Sequence, residues 1–162
     1  MANKNAEILL LLEVTDQAYD HHAWHGTNLR GSIRGLTAAE ASWRPAPQRH
    51  NIWEIVVHAA YWKYAVRRRI LGEKRGSFPL KGSNWFPRPD TKNVNLWRAE
   101  VTLLDDTHKS MQEAIEHVSA NLLRKIQGRT RYTYAQLIYG IASHDLYHAG
   151  QIQLLKRLQQ GH

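Results

Sequence analysis

The sequence predicts an all-α protein, an antiparallel four-helix bundle forming one domain. Three observations predict it. Apolar residues recur every three or four positions in four stretches, Pro/Gly-containing segments separate those stretches, and no stretch reads as a strand. Helices with one apolar stripe bury it against one another, and four of them close a core. The chain has 162 residues, 43% of them hydrophobic, which suffices for one such core.

The first helical stretch runs from about residue 5 to residue 34. Ile8, Leu11, Leu12, Thr15 and Ala18 or Tyr19 share a face, continued by Leu29 and Ile33. Gly26 and the polar His21-His22 pair mark a kink or break, and Gly35 is a candidate C-cap. In the connector 36–49, Thr37-Ala38-Ala39-Glu40 fits a capping box and so a short helical turn. Trp43-Arg44-Pro45-Ala46-Pro47 is extended, because each proline biases its predecessor away from helix.

The second helix starts at the N-cap candidate Asn51 and ends at Gly72, with Ile52, Ile55, Val56, Ala59, Trp62 and Val66 as its stripe. Residues 73–92 form a long loop, broken by Gly76, Pro79, Gly82, Pro87 and Pro89. It contains Phe78, Trp85 and Phe86, which predicts that it packs on the body over a pocket, with Trp85-Phe86 as a candidate lid. The third helix covers about 93–118, where Val94, Trp97, Val101, Leu104, His108, Met111, Ile115 and Val118 step by three and four. A short link, 119–131, leads to the N-cap candidate Thr133. The fourth helix then runs to about Leu158 with the stripe Leu137, Ile141, His144, His148, Gln151 and Leu155.

The absence of cysteine excludes disulfides, a cysteine nucleophile and thiolate metal ligands. No run approaches the roughly 18 apolar residues of a membrane span. The apolar Ile8–Leu12 segment is flanked by acidic residues, unlike a secretory signal, so the expectation is a cytoplasmic protein. Net charge is +8. The basic residues fall into Arg67, Arg68, Arg69, Lys74 and Arg75, and into Arg124, Lys125, Arg129 and Arg131; such runs read as solvated helix ends, and no nucleic-acid partner is expected.

His144 and His148 stand four apart, so their rings share one helix face, and that face is the apolar stripe. A buried imidazole needs partners for both ring nitrogens, and one cation bound by both rings would supply them. A hydrogen-bonded pair of half-exposed histidines, one served by Asp145, reads the same spacing without a metal. His58, between Ile55 and Trp62, is the best candidate third ligand from a facing helix. Three histidines leave a coordination position open, as in catalytic sites. His108 and His25 read as pocket-lining or core residues, and His21, His22, His50, His117 and His162 as surface residues.

The segment His144-Asp145-Leu146-Tyr147-His148-Ala149-Gly150-Gln151-Ile152 resembles the C-terminal signature of the DinB/YfiT-like superfamily. The resemblance extends to Ile55-Val56-Val57-His58-Ala59-Ala60-Tyr61-Trp62, to the connector from Gly35-Leu36-Thr37 through Trp43-Arg44-Pro45, and to Trp24-His25-Gly26. It implies an up-down-down-up four-helix bundle and a single DinB-like domain over 1–162. It further implies a divalent metal, zinc or nickel, held by His58, His144 and His148, and a homodimer. The implied activity is thiol-dependent, bacillithiol-type S-transfer to a small electrophilic substrate. Because the chain has no cysteine, an external low-molecular-weight thiol would be needed. Hydrolysis by activated water and a non-catalytic metal-binding dimer are the alternatives. Around the ligands, Asp145 lies one position off the stripe and is placed to orient a neighbour or to form a salt bridge. Tyr147 and Gln151 line or brace the site, and Trp62, Trp24 and His25 are candidate pocket walls.

Overall fold

Asparagine and threonine side chains set where the helices begin. Asn51 accepts from the Glu54 N–H at 2.8 Å, and Asn93 accepts from the Leu96 N–H at 3.0 Å. Thr37 with Glu40, and Thr133 with Gln136, form reciprocal capping boxes. The structure, a computed structural model, describes residues 5–88, 92–128 and 130–161. Pro89, Arg129 and His162 lie outside the described residues. The elements in chain order are α1 (Ala6–Tyr19), α2 (Leu29–Ser32), α3 (Ala38–Ser42), α4 (Ile52–Leu71), α5 (Val94–Glu116), α6 (Ala120–Leu123) and α7 (Tyr134–Gln160). Among the described residues there is no strand, only an isolated bridge between Ile126 and Thr133. The long helices α1, α4, α5 and α7 pack into a helical bundle: α4 lies against α5 and α7, and α1 against α7 and α5.

Three expectations are corrected. The break expected at His21-His22 and Gly26 is present, but it ends the first helix at Tyr19, and only the single turn α2 follows before residue 34. The intervening chain is polar, and Gly26 takes φ +96°, so nothing there favours helix. Ile33, not Gly35, caps α2, while Gly35 turns the chain two residues later at φ +78°. On α7 the buried face is Ile138, Ile141, Ala142, Asp145, His148, Ala149, Ile152 and Leu155. Leu137, His144 and Gln151 stand half-buried at its edge. A helix packed on several neighbours buries an arc wider than a two-residue stripe, and here that arc is centred on Asp145.

The core divides into two apolar clusters. One gathers Leu29, Trp53, Val56, Phe86, Trp97, Leu104 and Ile152 around the first half of α4, with loop 73–88 folded onto it. The other gathers Ile8, Leu11, Val66, Met111, Ile115, Ile138 and Ile141. Near the boundary between them along the four long helices come buried polar residues: Thr15 on α1, Lys63 on α4, His108 on α5 and Asp145 on α7. Lys63 donates to Asp145 in an ion pair with both side chains out of solvent. Burial pushes the Asp145 carboxyl up and the Lys63 ammonium down, each drift opposed by the partner's charge.

Candidate metal centre

Two helices and one loop build the centre. His58 comes from the middle of α4, and His144 and His148 come from successive turns of α7, where α4 and α7 pack together. The three imidazoles converge. His144 Nε2 lies 3.0 Å from His58 Nε2 and 3.1 Å from His148 Nε2, and one nitrogen from each residue lies within 4.8 Å of the others.

The outer nitrogens show which inner nitrogens carry lone pairs. His58 Nδ1 faces the main-chain carbonyl of Asn84 at 2.7 Å. A carbonyl only accepts, so Nδ1 carries the proton and Nε2 of the neutral ring is a lone pair. His148 Nδ1 faces Gln151 Oε1 at 2.7 Å, and Gln151 Nε2 donates to the Tyr147 hydroxyl at 3.0 Å; in this amide orientation Oε1 accepts from the His148 Nδ1–H. His148 Nε2 is therefore also a lone pair. Both point at His144 Nε2, and one N–H there cannot lie along both directions. His144 Nδ1 is buried without a hydrogen-bond partner among the described residues. A cation accepted by all three rings resolves the conflict, so the donor set fits a divalent metal. Burial lowers the pKa of all three rings. His58 falls to about 4 and His144 to about 3, with the neighbouring imidazoles adding to the effect in both. Burial also lowers His148, against the Gln151 bond. Neutral imidazole is the form that ligates.

Loop 73–88 covers the centre. Asn84 adopts φ +68°, a conformation that asparagine tolerates better than most residues. It serves two residues of α4: its carbonyl holds His58, and its side-chain oxygen accepts from Trp62 Nε1 at 2.9 Å. Trp85 stacks on His58, centroids 3.9 Å apart, and on His50, 3.6 Å apart. Glu54 anchors His50 at 2.9 Å. Burial alone would raise the Glu54 carboxyl, but hydrogen bonds from Arg44, His50 and the Arg88 N–H outweigh it and hold the group at about 2.

The other sequence candidates divide. Gln151 braces His148 directly, and Tyr147 braces Gln151 with its ring against His148, although Tyr147 is 64% exposed. Trp62 walls the site, its ring 6.4 Å from His58 and from His144. Asp145 does not lie off the buried face; it is 1% exposed and committed to Lys63. Trp24 and His25 are not pocket walls: Trp24 is 96% exposed and His25 is exposed, because the chain leaves the bundle after α1. His21, His22, His50 and His117 are at the surface, and His108 is buried. Sequence reasoning missed Asn84 and Lys63. No signal marks Asn84 in an irregular loop, whereas Lys63, four residues after Ala59 and three before Val66, sits on the apolar stripe of α4. Within the basic runs, Arg67 pairs with Glu73 and Arg124 with Glu7.

No helix is long and apolar enough to cross a membrane among the described residues. No curated protein and no solved structure matches the chain. The family described as the DinB superfamily matches residues 21–152, a span that holds all three converging histidines and the loop that covers them. By that match over most of its length, the chain belongs to the DinB superfamily.

Proposed function

We propose that this protein is a metal-dependent S-transferase that joins an external low-molecular-weight thiol to a small electrophile. The observation that carries the reading is the convergence of three neutral imidazole Nε2 atoms with no carboxylate among them from the described residues. His58, His144 and His148 would hold zinc or nickel, both of which imidazole suits. Such a cation supplies a Lewis acid that favours the thiolate form of a thiol. The chain's own residues position and exclude. Asn84 and Gln151 fix the tautomers of His58 and His148, and Trp62 and Trp85 keep water from the rings. Asp145, next to His144 in sequence, is taken by Lys63 and is not free to act as a base toward water. That favours a nucleophile that is already an anion. The thiolate sulfur gives its pair to the electrophilic carbon, the C–S bond forms, and the leaving group departs with the bonding pair.

A cleft of about 490 Å³ reaches the centre at His144 and Trp62, and a second of about 490 Å³ is lined by Trp85 and Gln151, which cover and brace the ligands. The same reading takes the helices in up-down-down-up order. Supporting pairings are Trp53 with Trp97 near the starts of α4 and α5, Thr15 with Gln112 across α1 and α5, and Lys156 with the Ser32 carbonyl. It also takes the protein as a cytoplasmic homodimer, with exposed Tyr139, Tyr147, Leu154 and Leu158 on α7 as the paired face.

Elemental analysis of purified protein tests the site: one divalent metal per chain is expected, lost in His58→Ala and His148→Ala. Gln151→Ala should weaken metal affinity by roughly tenfold without unfolding the chain. Conjugation of a thiol with monochlorobimane should require the metal. Full metal content in the histidine variants would overturn the site, and ester hydrolysis without conjugation would overturn the reaction.

A further inference from the structure

The three consecutive arginines of α4 have different fates. Arg67 is bound by the Glu73 carboxylate at 2.7 and 3.2 Å, and Arg68 donates to the Glu73 carbonyl at 3.0 Å. The Arg69 guanidinium has no hydrogen bond and no carboxylate partner among the described residues. Its guanidinium lies over the Trp62 ring, 5.7 Å from the centroid, and is half-buried. Burial lowers its pKa, and the cations Arg68 and Arg75 lower it further, opposed by Tyr61. The site is therefore positive without compensation.

Arg69 also lines the cleft of about 490 Å³ that reaches His144. Trp62, Val66 and Arg69 stand three and four apart on α4 and form one wall, while Leu137, Ile141 and His144 on α7 form the facing wall. The two facing walls are mostly apolar, with Thr130, Gln136 and the Tyr132 and Tyr139 side chains also lining the cleft, and among the described lining residues the one charged side chain is the Arg69 guanidinium, at the far side of Trp62 from His144. The Trp62 ring spans the interval, 6.4 Å from His144 on one side and 5.7 Å from Arg69 Cζ on the other. An apolar pocket with one oriented cation selects a ligand with an apolar body and one anionic end, and a planar guanidinium suits a carboxylate.

We infer that the substrate of the three-histidine centre is a carboxylate with a flat apolar body, its anion held by Arg69 and its body lying along Trp62. This rests on the reading of the histidines as a reactive centre, but binding at Arg69 needs no metal. Calorimetric titration with 4-phenylbutyrate and its uncharged isostere 4-phenylbutanamide tests it, on metal-loaded and on chelator-treated protein. Wild type should bind the carboxylate at least tenfold more tightly than the amide in both states. Arg69→Gln should bring the two within about twofold with amide affinity unchanged, and Arg69→Lys should retain part of the preference. Arg131→Gln, whose guanidinium lies over the exposed Tyr132 at the cleft's rim, should leave it intact. Equal binding of the two probes by wild type, no binding of either, or a preference that survives Arg69→Gln would overturn the inference. A preference that appears only with metal and survives Arg69→Gln assigns the anion to the metal, leaving the centre standing without the Arg69 site. An Arg69-dependent preference in protein that never retains metal leaves the subsite standing and removes the centre.

Discussion

His108 stacks on Tyr19 with ring centroids 3.8 Å apart, and its Nδ1 has no partner among the described residues. Asp16 on α1 lies 3.6 Å from its Nε2, and Lys63 on α4 adds a positive charge to its surroundings. Burial, with help from the cations of Lys63 and His21, lowers its pKa from 6.5 to about 2. The unfolded side chain therefore takes a proton below about pH 6.5 that the folded one refuses. Its contribution to stability is fully present above pH 6.5 and is lost as pH falls through that window toward 2. Urea unfolding of chelator-treated protein between pH 7.5 and 4.5 should show the loss, and His108→Met should flatten it. Equal pH slopes in the two proteins would refute the assignment. The same residue scale shows what a sequence can reveal. His58, His144, His148 and His108 were legible because each replaces an aliphatic residue at helical spacing, and Gln151 because it stands three positions after His148. Trp85 was legible as an aromatic in a loop expected to cover a pocket, but Asn84 was not, since no periodicity fixes the path of an irregular loop. The salt-bridge reading of Asp145 holds, but its place was misread, because a stripe counted through the histidines is displaced from the true centre of the buried arc.

At the scale of the element, legibility follows the caps. The bounds of α4 could be read from Asn51 and Gly72, because one side chain accepts the Glu54 N–H and the other residue takes the left-handed φ of +69° that ends the helix. The end of α1 could not, since Asp20 closes it with only a main-chain bond to Asp16 and no cap residue marks the place. Glycine makes the contrast measurable. Gly150 lies exposed within α7, its φ is not positive, and a Cβ there would meet nothing within 4 Å; a Cβ at Gly72 is equally unobstructed but sits on a positive φ. Gly150→Ala should therefore stabilise the protein by about 0.5–1 kcal/mol, and Gly72→Ala should destabilise it by a similar amount. The melting temperatures should move about 2–4 °C in opposite directions. Shifts of the same sign would show that space, not backbone conformation, governs both positions.

Across the whole molecule, the buried polar residues at the join of the two apolar clusters place a charge pair next to the three-histidine cluster. Lys63 neighbours Trp62, and Asp145 neighbours His144, so the pair ties α4 to α7 at the level where those helices present their histidines. Both charges have left water, a cost that their mutual attraction must offset. Lys63 bonds Asp145 Oδ2, and Oδ1 is buried with no hydrogen-bond partner among the described residues, so the offset is incomplete. Removing one charge strands the other. Lys63→Met or Asp145→Leu alone should destabilise the fold by about 3–5 kcal/mol. The double variant restores a neutral, apolar join and should recover most of that loss or exceed the wild type. Urea denaturation of the four proteins closes the cycle, and single variants costing under about 1 kcal/mol would contradict a fully desolvated pair. Metal affinity separates register from stability. If the pair holds α7 in register against α4, the double variant should fold well yet bind metal more weakly, because three nitrogens from two helices must still meet at one point. Unchanged affinity would assign that register to the apolar clusters on either side.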